Sequence, residues 1–110
     1  MVHTWKELIE IAENLGWRVT YDMPDNGALY EMDFAQYSPA GEDFSFYCSA
    51  DTPEDMVSAI YDEYSNFNID EHAVMCHGMR GAPNLHVLIH DAESIREMLF
   101  ELHRELTEVG

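Results

Sequence analysis

Basic residues are scarce in this chain. Its 110 residues include five lysines and arginines against 22 aspartates and glutamates, a formal net charge of −17, and Lys6 is the single lysine. So anionic a surface repels polyanions, which excludes direct binding to DNA, RNA or an anionic membrane and turns attention to basic partners. Long apolar runs are also missing, and none approaches the ~20 residues of a membrane span. The opening MVHTWKELIE has no basic start followed by an apolar block, so no secretory signal is expected and a cytoplasmic location is. Cysteine is limited to Cys48 and Cys76. Two cysteines make no disulfide framework and fit reduced thiols in the same compartment. Catalytic signatures are lacking as well. There is no glycine-rich phosphate loop, no G-x-S-x-G and no H-E-x-x-H. The chain is therefore expected not to be an enzyme and to need no cofactor.

What is present is a globular pattern. Apolar residues make up 46% of the chain, far from a disordered composition. Residues 1–110 have the size of one domain, able to bury roughly two-thirds of the unfolded surface. The centre of the pattern is residues 28–50. Ala28, Tyr30, Met32 and Phe34 alternate with polar positions that include Glu31 and Asp33, and Phe44, Phe46, Cys48 and Ala50 alternate with Ser45, Tyr47 and Ser49. Period-2 alternation places one set on each face of a strand. The intervening Ser38-Pro39-Ala40-Gly41-Glu42-Asp43 carries turn residues. These two arms predict an antiparallel hairpin with one packed and one wet face.

Around it the order is helical at both ends. Thr4 and Glu7 form a capping box, Trp5, Leu8, Ile9, Ala12 and Leu15 form an apolar stripe, and Gly16 supplies the stop. Residues 17–23 alternate as a first strand, joined to the hairpin through Pro24-Asp25-Asn26-Gly27. Thr52 with Pro53 opens a second helix whose expected core face is Met56, Val57, Ile60, Tyr61 and Tyr64. Asn68 opens a third helix reaching about Met79, and Arg80-Gly81-Ala82-Pro83 breaks the chain. Residues 84–90 fit either a short helix or a fourth strand, and Pro83 favours the helix. Asp91 is expected to cap the last helix, with the stripe Ile95, Met98, Leu99, Leu102, Leu106 and Val109. The fold class expected is α+β, a three-stranded antiparallel meander with helices packed on one face, in the order α-β-β-β-α-α-α.

The stretches YSPAGEDFSF (Tyr37 to Phe46), NIDEH (Asn68 to His72) and HDAESI (His90 to Ile95) resemble a family of small acidic bacterial proteins without an established activity. That resemblance implies a compact α+β domain and transfers no functional residue.

Three sets of side chains are candidates for chemistry. His72 and Cys76 share a helix face, and His86 with His90 gives a second pair four residues apart, together the number of ligands in a closed zinc site. Core or boundary packing is the simpler reading of both pairs. His77 points away from Cys76's face, and Cys48 lies in the apolar register of a strand, a buried and inert thiol. Glu42 and Asp43 offer carboxylates to a cation but read more simply as a solvated turn. The adjacent pairs Glu71-His72 and His90-Asp91 do not face each other on a helix. The third set is the acidic surface. Glu93, Glu97, Glu101 and Glu105 recur every four residues along the last helix, a rise of about 6 Å per step, and Glu31 and Asp33 lie on the wet face of the sheet. This pattern leads to a non-enzymatic binding module for a basic protein, in its sharpest form a nucleic-acid mimic that blocks a DNA- or RNA-binding protein of a defence or mobile-element system. Acidity that serves solubility alone is the plainer reading. A homodimer through the wet face, where Leu29, Ala35, Tyr37 and Tyr47 also project, is the other expected association.

Overall fold

The computed structural model describes residues 4–22, 29–78 and 84–108. The expected turn at 24–27, the chain break at 80–83 and the stripe position Val109 lie outside them. Among the described residues the order is α1 (Trp5–Asn14), β1 (Arg18–Asp22), β2 (Tyr30–Tyr37), β3 (Asp43–Ala50), α2 (Pro53–Asn66), α3 (Ile69–His77) and α4 (Leu85–Glu108). The strands form one antiparallel sheet in the order β1-β2-β3. This is the expected α+β meander. None of the described helices is long and apolar enough to cross a membrane.

The register follows from the alternation. Met32 faces Cys48 and Phe34 faces Phe46, while Asp33 faces Tyr47 and Glu31 faces Ser49. The first set is buried and the second exposed, because a slip of one residue would exchange the two faces and drown the aromatic set. Phe34 stacks on Phe46, and Trp17, just ahead of β1, meets Phe46 edge-on. α1 packs beside β1, α2 beside β3, and α4 lies against α1, α2 and α3. Leu8, Ile60, Ile95, Leu99, Leu102 and Leu106 close the core from the helical side.

The caps behave as their chemistry dictates. The hydroxyls of Thr4 and Thr52 accept the backbone N–H groups of Glu7 and Asp55, and Asn68 does the same for Glu71. At the end of α1 the N–H of Gly16 donates to Glu13 O and that of Trp17 to Ala12 O, the Schellman pattern. Gly16 has φ +97°, a region an L side chain enters at a cost of about 1–2 kcal/mol. A Cβ there would also lie 2.4 Å from Gln36 Nε2, which donates to Leu15 O at 2.8 Å. Gly16→Ala is expected to lower the unfolding free energy by about 1–2 kcal/mol, read as a lower urea midpoint with unchanged slope.

Two expectations about the helices are corrected. Residues 85–90 are helical, and they run without interruption into the last helix. With no proline or glycine between Asn84 and Glu108, nothing breaks the backbone ladder, and α4 is one rod of about 36 Å. Asp91 therefore caps nothing. Asn84 holds the start, its Oδ1 accepting the N–H of Val87 at 3.0 Å, and Asp91 sits in the helix interior, 5% exposed. The core face of α2 is also narrower than its spacing predicts: Tyr61 is exposed and leans on His103 of α4.

Candidate functional site

Asp91 is buried because the β2–β3 loop folds onto it. Its Oδ2 accepts the hydroxyl of Ser38 at 2.6 Å and its Oδ1 accepts the N–H of Ala40 at 2.9 Å. Ser38 in turn closes the loop, its Oγ accepting the N–H of Glu42 at 3.0 Å and its own N–H donating to Glu42 O at 2.8 Å. Gly41 takes φ +93° in this tight connection, where only glycine is unstrained. Loop and helix together fix the direction of one side chain, Glu42.

That side chain reaches α3. Glu42 Oε2 lies 2.8 Å from His72 Nε2, and the thiol of Cys76 donates to Oε1 at 3.1 Å. Cys76 Sγ and His72 Nε2 are 3.6 Å apart. The His72–Glu42 pair is largely withdrawn from solvent, with 14% and 27% of the two side chains exposed. The rings of Phe44 and Phe67 wall in the imidazole. Burial, and then the Glu42 carboxylate beside it, push the Cys76 thiol up to about 11. Glu42, His72 and Cys76 are the one group of three metal-ligating side chains among the described residues whose donor atoms all lie within 4.8 Å of one another.

The four side chains weighed as a zinc site do not come together. His72 and Cys76 do share a site, but His86 and His90 are exposed on the outer side of α4, where His90 faces Glu93 at 3.8 Å. Glu42 stands in their place, and it is a half-buried hydrogen-bond partner of His72 and Cys76 rather than a solvated turn residue. Local sequence does not mark it, since its partners are 30 and 34 residues away. Ser38 and Asp91 are 53 residues apart, and the fold brings both to one place with Glu42 and His72.

Cys48 has the environment its register predicts. It is 4% exposed, and burial, followed by the charges of Glu63 and Asp62, lifts its thiol from 9.0 to about 12. Native Cys48 is expected to resist iodoacetamide at pH 8 and to react once the chain is unfolded. A raised folded value also means that the unfolded chain loses this proton first. Its stabilising effect is complete below pH 9.0 and is lost as pH rises toward about 12. Cys48→Ala is expected to flatten that alkaline decline in a pH series of urea unfolding.

The acidic candidates fall on two separate surfaces. Glu31 and Asp33 project from the face of the sheet that the helices leave open, while Glu93, Glu97, Glu101 and Glu105 belong to α4 in the helical layer. The α4 row is not straight, because each step of four residues advances by about 40° around the axis. It is also partly neutralised: Arg104 lies 3.7 Å from Glu101 and 3.4 Å from Glu105. On the open sheet face Asp22 stands directly opposite Glu31 and Thr20 opposite Asp33. With Tyr21 and Tyr47 these residues line a dimple of about 220 Å³. A hydrogen bond to Glu31, with some burial and that carboxylate's charge, raises the Tyr47 phenol above its usual range. Arg18 is the single basic residue between residues 17 and 50, and it is already engaged by Asp43 and by the Tyr37 ring.

The class this geometry defines is an α+β domain with a polar cluster at one end of the sheet and an acidic open face. No protein-family model, curated protein or solved structure matches the chain.

Proposed function

We propose that the chain is a non-enzymatic acidic binding module whose partner is a basic protein, of the kind whose groove otherwise holds nucleic acid. One observation carries the reading: Asp22 and Glu31 stand as a cross-strand pair of like charges beside Asp33, and the face holds no free cation among the described residues. Like charges directly opposite on neighbouring strands cost stability. An incoming lysine or arginine relieves that repulsion, so the isolated domain carries a cost that binding removes. Tyr47, half exposed beside the pair, offers a ring on which a guanidinium can stack. The α4 row, winding and interleaved with Arg104, suits the role less well. A face-to-face homodimer is also less favourable, since it would set one Asp22–Glu31–Asp33 group against another on chains of net charge −17.

The test is capture of basic proteins from a lysate of the source cells at low and high salt, with duplex DNA as competitor. Capture at low salt, release by salt and displacement by DNA are expected. Glu31→Gln with Asp33→Asn should weaken the captured complex about tenfold, two exposed charge contacts of under about 1 kcal/mol each. Glu97→Gln with Glu101→Gln should leave it nearly unchanged. Capture that ignores salt, or that depends on the α4 pair alone, would contradict the reading.

A further inference from the structure

We infer that Glu42, His72 and Cys76 form a mononuclear site for a zinc-class divalent cation, with three protein ligands and a fourth position left to solvent. This inference stands apart from the acidic face and would survive its failure.

The ligand types come first. Imidazole, thiolate and carboxylate together suit zinc and cobalt, whereas calcium and magnesium take oxygen donors throughout. The spacing comes next. Bonds of ~2.3 Å to sulfur and ~2.05 Å to nitrogen at a tetrahedral angle place the two atoms about 3.6 Å apart. Cys76 Sγ and His72 Nε2 are 3.6 Å apart. The corresponding oxygen separations are about 3.3 Å to nitrogen and about 3.5 Å to sulfur. Glu42 Oε1 lies 3.1 Å from His72 Nε2 and 3.1 Å from Cys76 Sγ, so the carboxylate needs to withdraw by only a few tenths of an ångström. The i, i+4 spacing on α3 sets His72 and Cys76 on one face without any further folding.

The support around the ligands points the same way. Metal ligands work when other groups hold them. Here a buried carboxylate, Asp91, holds Ser38 and Ala40, and Ser38 holds the backbone of Glu42. Phe44 and Phe67 fix the plane of the imidazole. The arrangement also answers a structural need. α3 buries only Ala73 among its described residues, and Val74 and Met75 are exposed. A cation shared with the hairpin loop would clamp α3 to that loop as well as to α4, against which it already packs.

Cobalt(II) titration of protein purified without a histidine tag, stripped with a chelator and kept reduced, is the test. One equivalent per chain, a thiolate-to-cobalt charge-transfer band and the ligand-field bands of four-coordinate cobalt are expected, all removed by one equivalent of zinc. Cys76→Ser should abolish the charge-transfer band, while Cys48→Ser should leave it intact. Glu42→Gln and His72→Gln should each lower cobalt affinity at least ~10-fold, and His86→Asn with His90→Asn should not change it. Far-UV circular dichroism of each metal-free variant checks its fold. A second readout needs no variant: zinc should protect Cys76, identified by mass spectrometry, from alkylation. Wild-type protein that gives no charge-transfer band, a band that persists in Cys76→Ser, or alkylation indifferent to zinc would overturn the site and leave the three side chains as a hydrogen-bonded latch.

Discussion

Asp91→Ala is expected to lower the unfolding free energy by about 3 kcal/mol, because it strips a hydrogen-bond acceptor from two groups at once. The Ser38 hydroxyl loses its partner, and so does the N–H of Ala40. An orphaned buried group costs about 1–3 kcal/mol, and Ser38 is 5% exposed, with little water to replace the carboxylate, while the part-buried N–H of Ala40 adds a smaller loss. For a domain of this size the melting temperature should fall by on the order of 10 °C. A double-mutant cycle makes the test specific. Ser38→Ala removes the other side of the same bond, so the double variant should cost less than the sum of the two singles. Asp91→Asn, which keeps an acceptor for Ala40, should recover part of the loss. Strict additivity of Ser38→Ala and Asp91→Ala would mean that the loop and α4 are not coupled through this bond.

Phe34→Ala should be at least as damaging, at about 3–5 kcal/mol. Phe34 is fully buried on the central strand, its ring centroid 4.9 Å from that of Phe46. The cavity would open where the sheet meets the helical layer, the place least able to collapse. One position away along the paired strand, Tyr47 occupies the opposite face and is 50% exposed. Tyr47→Ala should change stability by no more than about 0.5 kcal/mol. Urea unfolding of the two variants side by side measures how two-faced the sheet is. Equal losses would mean that the open face is covered in solution, as in a dimer, and sedimentation at two protein concentrations would then find that dimer.

The features legible in the sequence are those that local rules enforce. Alternation in residues 30–37 and 43–50 specifies both faces of the hairpin, since the side-chain period of a strand allows no other assignment. Thr4, Thr52 and Asn68 announce three helix starts because capping acts within three residues. The candidate cluster was legible only in fragments, because its bonds are long-range. Asp91 resembles a helix cap in the sequence, being a short acidic residue ahead of an apolar stripe. It is an interior residue instead, because Ser38, 53 residues earlier, satisfies its carboxylate. His72 and His90 each have a ligating type of residue, or a second histidine, four positions away. Packing alone separates them: one lies between Phe44 and Phe67, the other stands in solvent. Glu42 is indistinguishable in sequence from the neighbouring Asp43, and the loop geometry turns one toward α3 and the other toward Arg18.

The position of α4 in the chain has a consequence for synthesis. Ile95, Leu99, Leu102 and Leu106 share one core with Leu8 and Phe34, so the aromatic face of the hairpin lacks its full cover until the last helix has left the ribosome. At about 5–20 residues per second, that is an interval of several seconds. During it Phe34, Phe44 and Phe46 have α1 and α2 beside them but lack the layer that α4 adds to their core. Neighbouring nascent chains on one message carry the same excess of negative charge, and that mutual repulsion keeps their unfinished sheets apart until residues 95–106 arrive.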